Sequence, residues 1–81
     1  MYCVYILQSE KNLKYYTGST KDLDRRLNEH NKGKGGYFTN LYKPWKLVYR
    51  KDFENSAEAR LEEKKIKSYK GGNAFKRLIE N

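Results

Sequence analysis

The sequence predicts an α+β domain, a small three-stranded antiparallel sheet flanked by helices in the order ββαβαα. Three observations lead there. Two short runs of aromatic and β-branched residues open the chain with a polar tetrapeptide between them. Capping residues followed by helical apolar spacing begin at Ser19 and again at Asn55. A third alternating run starts at Trp45.

Met1 to Gln8 reads as the first strand, with Tyr2, Val4, Tyr5 and Ile6 suited to a pleated surface. Ser9-Glu10-Lys11-Asn12 reads as a turn, and Leu13 to Gly18 as the second strand of a hairpin. A symmetric four-residue loop pairs residues whose numbers sum to 21, which sets Tyr5 directly opposite Tyr16. Ser19 is the expected cap of the first helix, with Asp22 three residues on. That helix runs to about Asn31, where Asn31 and Gly33 supply a stop. Leu23, Leu27 and His30 fall on one stripe with Arg26 at its border, while Arg25 points outward.

Residues 32–44 form a Gly- and Lys-rich loop. Trp45 to Lys51 is the third strand, with Trp45, Leu47 and Tyr49 on one face and Lys46, Val48 and Arg50 on the other. Asn55 caps the second helix, with Glu58 at its third position, and the helix extends to about Tyr69. Gly71-Gly72 ends it, and Asn73 caps a short last helix carrying Phe75, Leu78 and Ile79. No repeat or linker interrupts this order.

The chain has 81 residues, enough for a single domain over 1–81 with one modest core. Apolar content is only 37%, yet 15% of residues are aromatic, which is too rich for a disordered segment. The net charge is +8. Lys64, Lys65, Lys67, Lys70, Lys76 and Arg77 lie in a stretch without an acid, and Lys32, Lys34, Lys43 and Lys46 surround the loop. Such clustering fits a polyphosphate partner, with a solvated lysine surface as the plain alternative. The basic helices carry few large apolar residues opposite the charges, so membrane attachment is not expected. Cys3 alone forms no internal disulfide and has no zinc-ligand spacing, so a buried reduced thiol is expected. Neither a signal peptide nor an apolar run of about eighteen residues is visible, so a cytoplasmic protein is expected.

Several residues have chemistry to offer, and each has a plain structural alternative. Tyr5 and Tyr16 suit a cross-strand aromatic pair. Gly18 permits either a turn or the close approach of a backbone or ligand. Arg26 and His30 lie one helical turn apart on one face, where an arginine can hold a phosphate and stabilise transition-state charge or simply snorkel. Glu63 lies between Ala59 and Ile66 on the inward face of its helix, with Glu62 at the edge of that face as the weaker candidate. An inward carboxylate needs a cation, a donor or a metal. Gly33-Lys34-Gly35-Gly36 lacks P-loop spacing and reads as a basic loop able to contact a nucleic-acid backbone.

Taken together, the triplets Cys3-Val4-Tyr5 and Tyr16-Thr17-Gly18, Arg26 four residues before His30, and the later Glu63 resemble the GIY-YIG nuclease superfamily. The likeness to its short stand-alone members continues through Tyr15-Tyr16-Thr17-Gly18, Asp22-Leu23-Asp24-Arg25-Arg26-Leu27, Glu29-His30-Asn31, Pro44-Trp45-Lys46-Leu47-Val48-Tyr49 and Glu63 with Ile66-Lys67. Thr39 and Trp45 also look like positions in the nuclease subunit of eukaryotic structure-specific endonucleases of this fold. The first triplet departs by losing its glycine and the second carries Thr17 for Ile. Asn73 does not clearly align with the family's late Asn.

The resemblance implies a Mg²⁺- or Mn²⁺-dependent endonuclease cleaving phosphodiester bonds of DNA, in repair or recombination; RNA offers the same phosphodiester. It implies catalytic roles for Tyr5, Tyr16, Arg26, His30 and Glu63. Glu63 would bind the metal and Tyr5 would act as general base. Tyr16 would orient the water or phosphate, Arg26 would neutralise charge, and His30 would assist proton transfer or touch substrate. Gly18, Lys32, Lys34, Lys64 and Lys67 are the expected nucleic-acid contacts, and a protein partner would supply substrate specificity. The rival is a non-catalytic nucleic-acid-binding module retaining the fold; a small protein-docking adaptor is third.

Overall fold

The structure is a computed structural model and describes residues 1–32, 41–69 and 72–80. Strand β1 spans Tyr2–Ser9, β2 Tyr15–Thr20 and β3 Trp45–Phe53; helix α1 spans Leu23–Asn31, α2 Ser56–Ser68 and α3 Asn73–Glu80. The order is ββαβαα and the three-stranded sheet is antiparallel, as expected; its strands lie in the order β2-β1-β3.

Strand β1 is central, and helices cover both of its faces, which is why it reads as a nearly continuous apolar run. Cys3, Tyr5 and Leu7 point to one face and pack with Leu23, Leu27 and Trp45. Val4 and Ile6 point to the other and pack with Ala59, Ile66 and Phe75. Helix α1 therefore closes one core, and α2 with α3 closes the other. Cys3 is buried and free. No helix among the described residues is long and apolar enough to cross a membrane.

The hairpin register differs from expectation. Tyr5 pairs with Gly18 and Leu7 with Tyr16, so paired numbers sum to 23. The turn is longer than four residues. Ser9 N–H donates to Lys14 O at 2.8 Å, Leu13 takes a left-handed φ of 64°, and Ser9 Oγ accepts from Lys11 and Asn12 N–H. A slip of two keeps every side chain on its face, so Tyr5 and Tyr16 still share one.

Strand β2 also continues beyond Gly18, with Ser19 and Thr20 paired to Val4 and Cys3. Ser19 is thus a strand residue rather than a cap. Asp22 caps α1 instead, accepting from Arg25 N–H at 3.2 Å.

Asn31 ends α1 but does more than stop it. Its side-chain amide hydrogen-bonds both N–H and C=O of Trp45, tying α1 to the start of β3. In β3, Ile6 pairs with Tyr49 but Leu7 with Leu47, so Val48 is an extra residue at a bulge. The bulge carries Tyr49 into the α2–α3 core, away from the face that Trp45 occupies.

Asn55 caps α2 as expected, accepting from Glu58 N–H at 2.9 Å and donating to the Glu58 carboxylate at 2.9 Å. Asn73 is the first residue of α3. The residue before it, Gly72, holds the cap position, its carbonyl accepting from Lys76 N–H.

Candidate active site

Tyr5 is held at the centre of the sheet, 1% exposed, with its ring lying across Gly18. A Cβ at residue 18 would sit 2.7 Å from Tyr5 Oη and 2.9 Å from Cζ, so only glycine leaves this space. Of the two readings open for Gly18, close approach is the one observed, and the approaching group is Tyr5. Tyr16, diagonal to Tyr5 across the hairpin, stacks on it with ring centroids 6.4 Å apart.

Helix α1 completes the cluster. His30 is fully buried, its Nε2 3.2 Å from Tyr5 Oη and its ring edge-on to Tyr16 at 4.9 Å. Its Nδ1 is buried without a hydrogen-bond partner among the described residues. Burial, then the charge of Arg26, lowers the His30 pKa, so the imidazole is neutral near neutral pH. Arg26, one turn earlier and half-buried, interacts with the Tyr5 and Tyr16 hydroxyls and pairs with Glu29 at 3.4 Å. Burial pushes the Tyr5 phenol up to about 12 despite the opposing hydrogen bond from Arg26.

Glu63 approaches from the other side. It lies on α2, beyond edge strand β2, where Ser19 Oγ donates to its Oε1 at 2.6 Å. Lys67 Nζ reaches Oε2 at 2.7 Å. Burial alone would raise this carboxyl. The hydrogen bonds from Lys67 and Ser19, with the charges of Lys67 and Arg60, outweigh that and hold it below the usual carboxylate value. The structure thus groups Tyr5, Tyr16, Arg26 and His30 on one face and sets Glu63 on the opposite one. The two groups touch adjacent residues of β2, Tyr5 at Gly18 and Glu63 at Ser19, and Tyr5 feels the charge of Glu63.

The donor that this site offers a hard cation is the Glu63 carboxylate. No three His, Cys, Asp or Glu residues gather among the described residues, which does not suit an all-protein cage. Magnesium instead takes one or two carboxylates and fills its octahedron with water and substrate phosphate. Glu63 is 19% exposed and already carries an ammonium on Oε2. Beside it Arg60, Lys64 and Lys67 line an open groove of about 300 Å³.

Lys32 is exposed at the end of α1, whereas Lys34, Thr39 and the rest of the Gly-Lys loop over 33–40 lie outside the described residues. Glu62 is half-buried and faces the neighbourhood of Tyr49. Sequence reasoning missed Ser19 and Arg60. Continuing the period-two alternation past Gly18 would have set Ser19 on the face of Val4 and Glu63.

The GIY-YIG catalytic domain model matches residues 1–76. The chain is 34% identical over 77 residues to a UPF0213 protein of Staphylococcus saprophyticus, covering 95% of this chain and 93% of the relative. It is 40% identical over 67 residues to a UPF0213 protein of Staphylococcus aureus, covering 82% and 79%. The solution NMR structure of the UPF0213 protein BH0048 from Bacillus halodurans has 33% identity and a TM-score of 0.61, covering 99% of this chain and 84% of that one.

Proposed function

This chain belongs to the GIY-YIG family, and from that premise we propose that it is a divalent-metal-dependent endonuclease cleaving phosphodiester bonds of DNA, as one domain over residues 1–81. The observation that supports this best is the arrangement about β2. Buried Tyr5 and His30 with half-buried Tyr16 and Arg26 meet the strand from one side, and an oriented, ionised carboxylate, Glu63, meets it from the other.

Glu63 is the residue that would hold Mg²⁺ or Mn²⁺. Such an ion polarises the scissile phosphate and stabilises the leaving oxygen. Arg26, a cation at any working pH, neutralises the charge that builds on the phosphorus. Tyr5 receives the proton of the attacking water, and Tyr16 orients that water. A phenol at about 12 is ionised in roughly one molecule in 10⁵ at pH 7, so Tyr5 needs somewhere to send its own proton. Neutral His30, with Nε2 3.2 Å from Tyr5 Oη, is placed to accept it. Lys32, Lys34, Lys64 and Lys67 contact flanking phosphates, while Gly18, buried beneath the Tyr5 ring, leaves the room that ring needs. RNA carries the same phosphates. Repair or recombination, a cytoplasmic location and a partner protein that selects the target are part of this reading.

The burial of Tyr5 favours a second reading, a nucleic-acid-binding module that does not cleave, because a phenol pushed upward is a poor base. Nicked, branched and supercoiled DNA incubated with Mg²⁺ or Mn²⁺ separates the two. Cleavage by the wild type, lost in Glu63→Gln and Arg26→Ala, supports the nuclease. Equal cleavage by all three sinks the assignment. Salt-sensitive binding without cleavage selects the module.

A further inference from the structure

We propose that Ser19 is a positioning residue for Glu63, fixing the carboxylate through Oε1 and leaving Oε2 as the oxygen that takes the cation. This rests on Glu63 being the metal-holding residue. The two oxygens differ in what holds them. Oε1 accepts at 2.6 Å from a hydroxyl on a hydrogen-bonded strand, in a part-buried contact that spans 44 residues of sequence. The serine belongs to the sheet and the glutamate to α2, so this bond sets the helix's carboxylate against the strand.

Oε2 is held differently. Its partner Lys67 lies four residues along the same helix with a side chain 56% exposed. An exposed pair at that spacing is worth about a twofold change in an equilibrium, so a cation displaces it readily. The displaced ammonium stays beside the groove it shares with Arg60 and Lys64, where a phosphate would lie. Ser19 holds Oε1 from the sheet, while Lys67 holds Oε2 from an exposed side chain of the same helix, so Oε2 is the exchangeable oxygen. Hydrogen-bond partners that orient a metal-binding residue typically govern its affinity by about 10- to 100-fold.

The test titrates metal-free protein with Mn²⁺ and follows the free-ion electron paramagnetic resonance signal. Ser19→Ala is expected to bind Mn²⁺ about 10- to 100-fold more weakly. Ser19→Thr keeps a hydroxyl on a strand position that tolerates β-branching and is expected to restore binding. Thr17→Val, on the same strand and the same face, is expected to bind as the wild type does. Lys67→Met, which frees Oε2, is expected to bind about twofold more tightly, and weaker binding would overturn the assignment of the cation to Oε2.

The readout separates positioning from folding, because a merely structural loss in Ser19→Ala would appear in its melting curve and would leave intact-protein Mn²⁺ affinity unchanged. Ser19→Ala binding within about twofold of wild type, while Glu63→Gln loses Mn²⁺, overturns the role of Ser19 and leaves Glu63 standing. A loss that Ser19→Thr does not restore overturns it as well. Glu63→Gln binding like the wild type overturns the metal-holding role of Glu63, and the inference with it.

Discussion

Gly18 and Tyr5 are a matched pair, since the absent side chain of one is the space filled by the ring of the other. Strand propensity alone would make Gly18→Ala mildly stabilising, because glycine loses the most backbone freedom on folding. The contact distances reverse that sign. The new methyl meets the rigid Tyr5 ring from below and Tyr16 at 3.3 Å, with neither ring free to retreat from the packed core. Gly18→Ala is expected to lose about 1–3 kcal/mol in urea denaturation and to displace Tyr5 from His30, removing cleavage. A variant with wild-type stability and an undisturbed His30 ring signal would show that the ring has room. At this scale the sequence was informative where residue type narrows the chemistry, at Tyr5, Gly18, Arg26, His30 and Glu63. Ser19 was not legible in the same way. A serine before a helix carries the same local signal whether it caps the helix or ends a strand, and only the partner strand decides.

At the scale of elements, apolar periodicity located each strand and helix, and the misreadings fall at their junctions. The hairpin register depended on Leu13 adopting φ of 64°, a conformation that its residue type argues against. The third strand reverses its faces at Val48, because an inserted residue in one strand leaves no mark on the hydrophobic pattern. Asn31 shows the same limit. As a helix-ending residue it was expected, but its bracket on Trp45 joins residues 14 apart. That bracket holds Trp45 against Tyr16, whose rings meet at 6.2 Å, and so supports the tyrosine cluster from below. Asn31→Ala leaves a part-buried N–H and C=O without these bonds and is expected to cost about 1–3 kcal/mol in thermal or urea denaturation. An unchanged midpoint would mean that solvent satisfies Trp45 and that the bracket is dispensable.

For the molecule as a whole, a +8 charge is carried on a sheet with two covered faces. The α1 face contributes the buried Tyr5–His30 pair and the Arg26 guanidinium. The α2 face contributes a carboxylate set among exposed cations. Neither face alone holds the parts that phosphodiester cleavage needs. They meet at Gly18 and Ser19, adjacent residues of β2 that face opposite sides of the sheet. Periodicity placed Glu63 inward on its helix without revealing which core it faced. The placement of these side chains on two faces therefore emerges only from the packed sheet. Mn²⁺-induced broadening of amide and side-chain NMR signals tests this union most directly. Broadening is expected to be strongest at Glu63 and Ser19 and to extend through Gly18 to Tyr5 and Tyr16. Broadening centred on other acids, or confined to α2 with Gly18 and Tyr16 untouched, would contradict it.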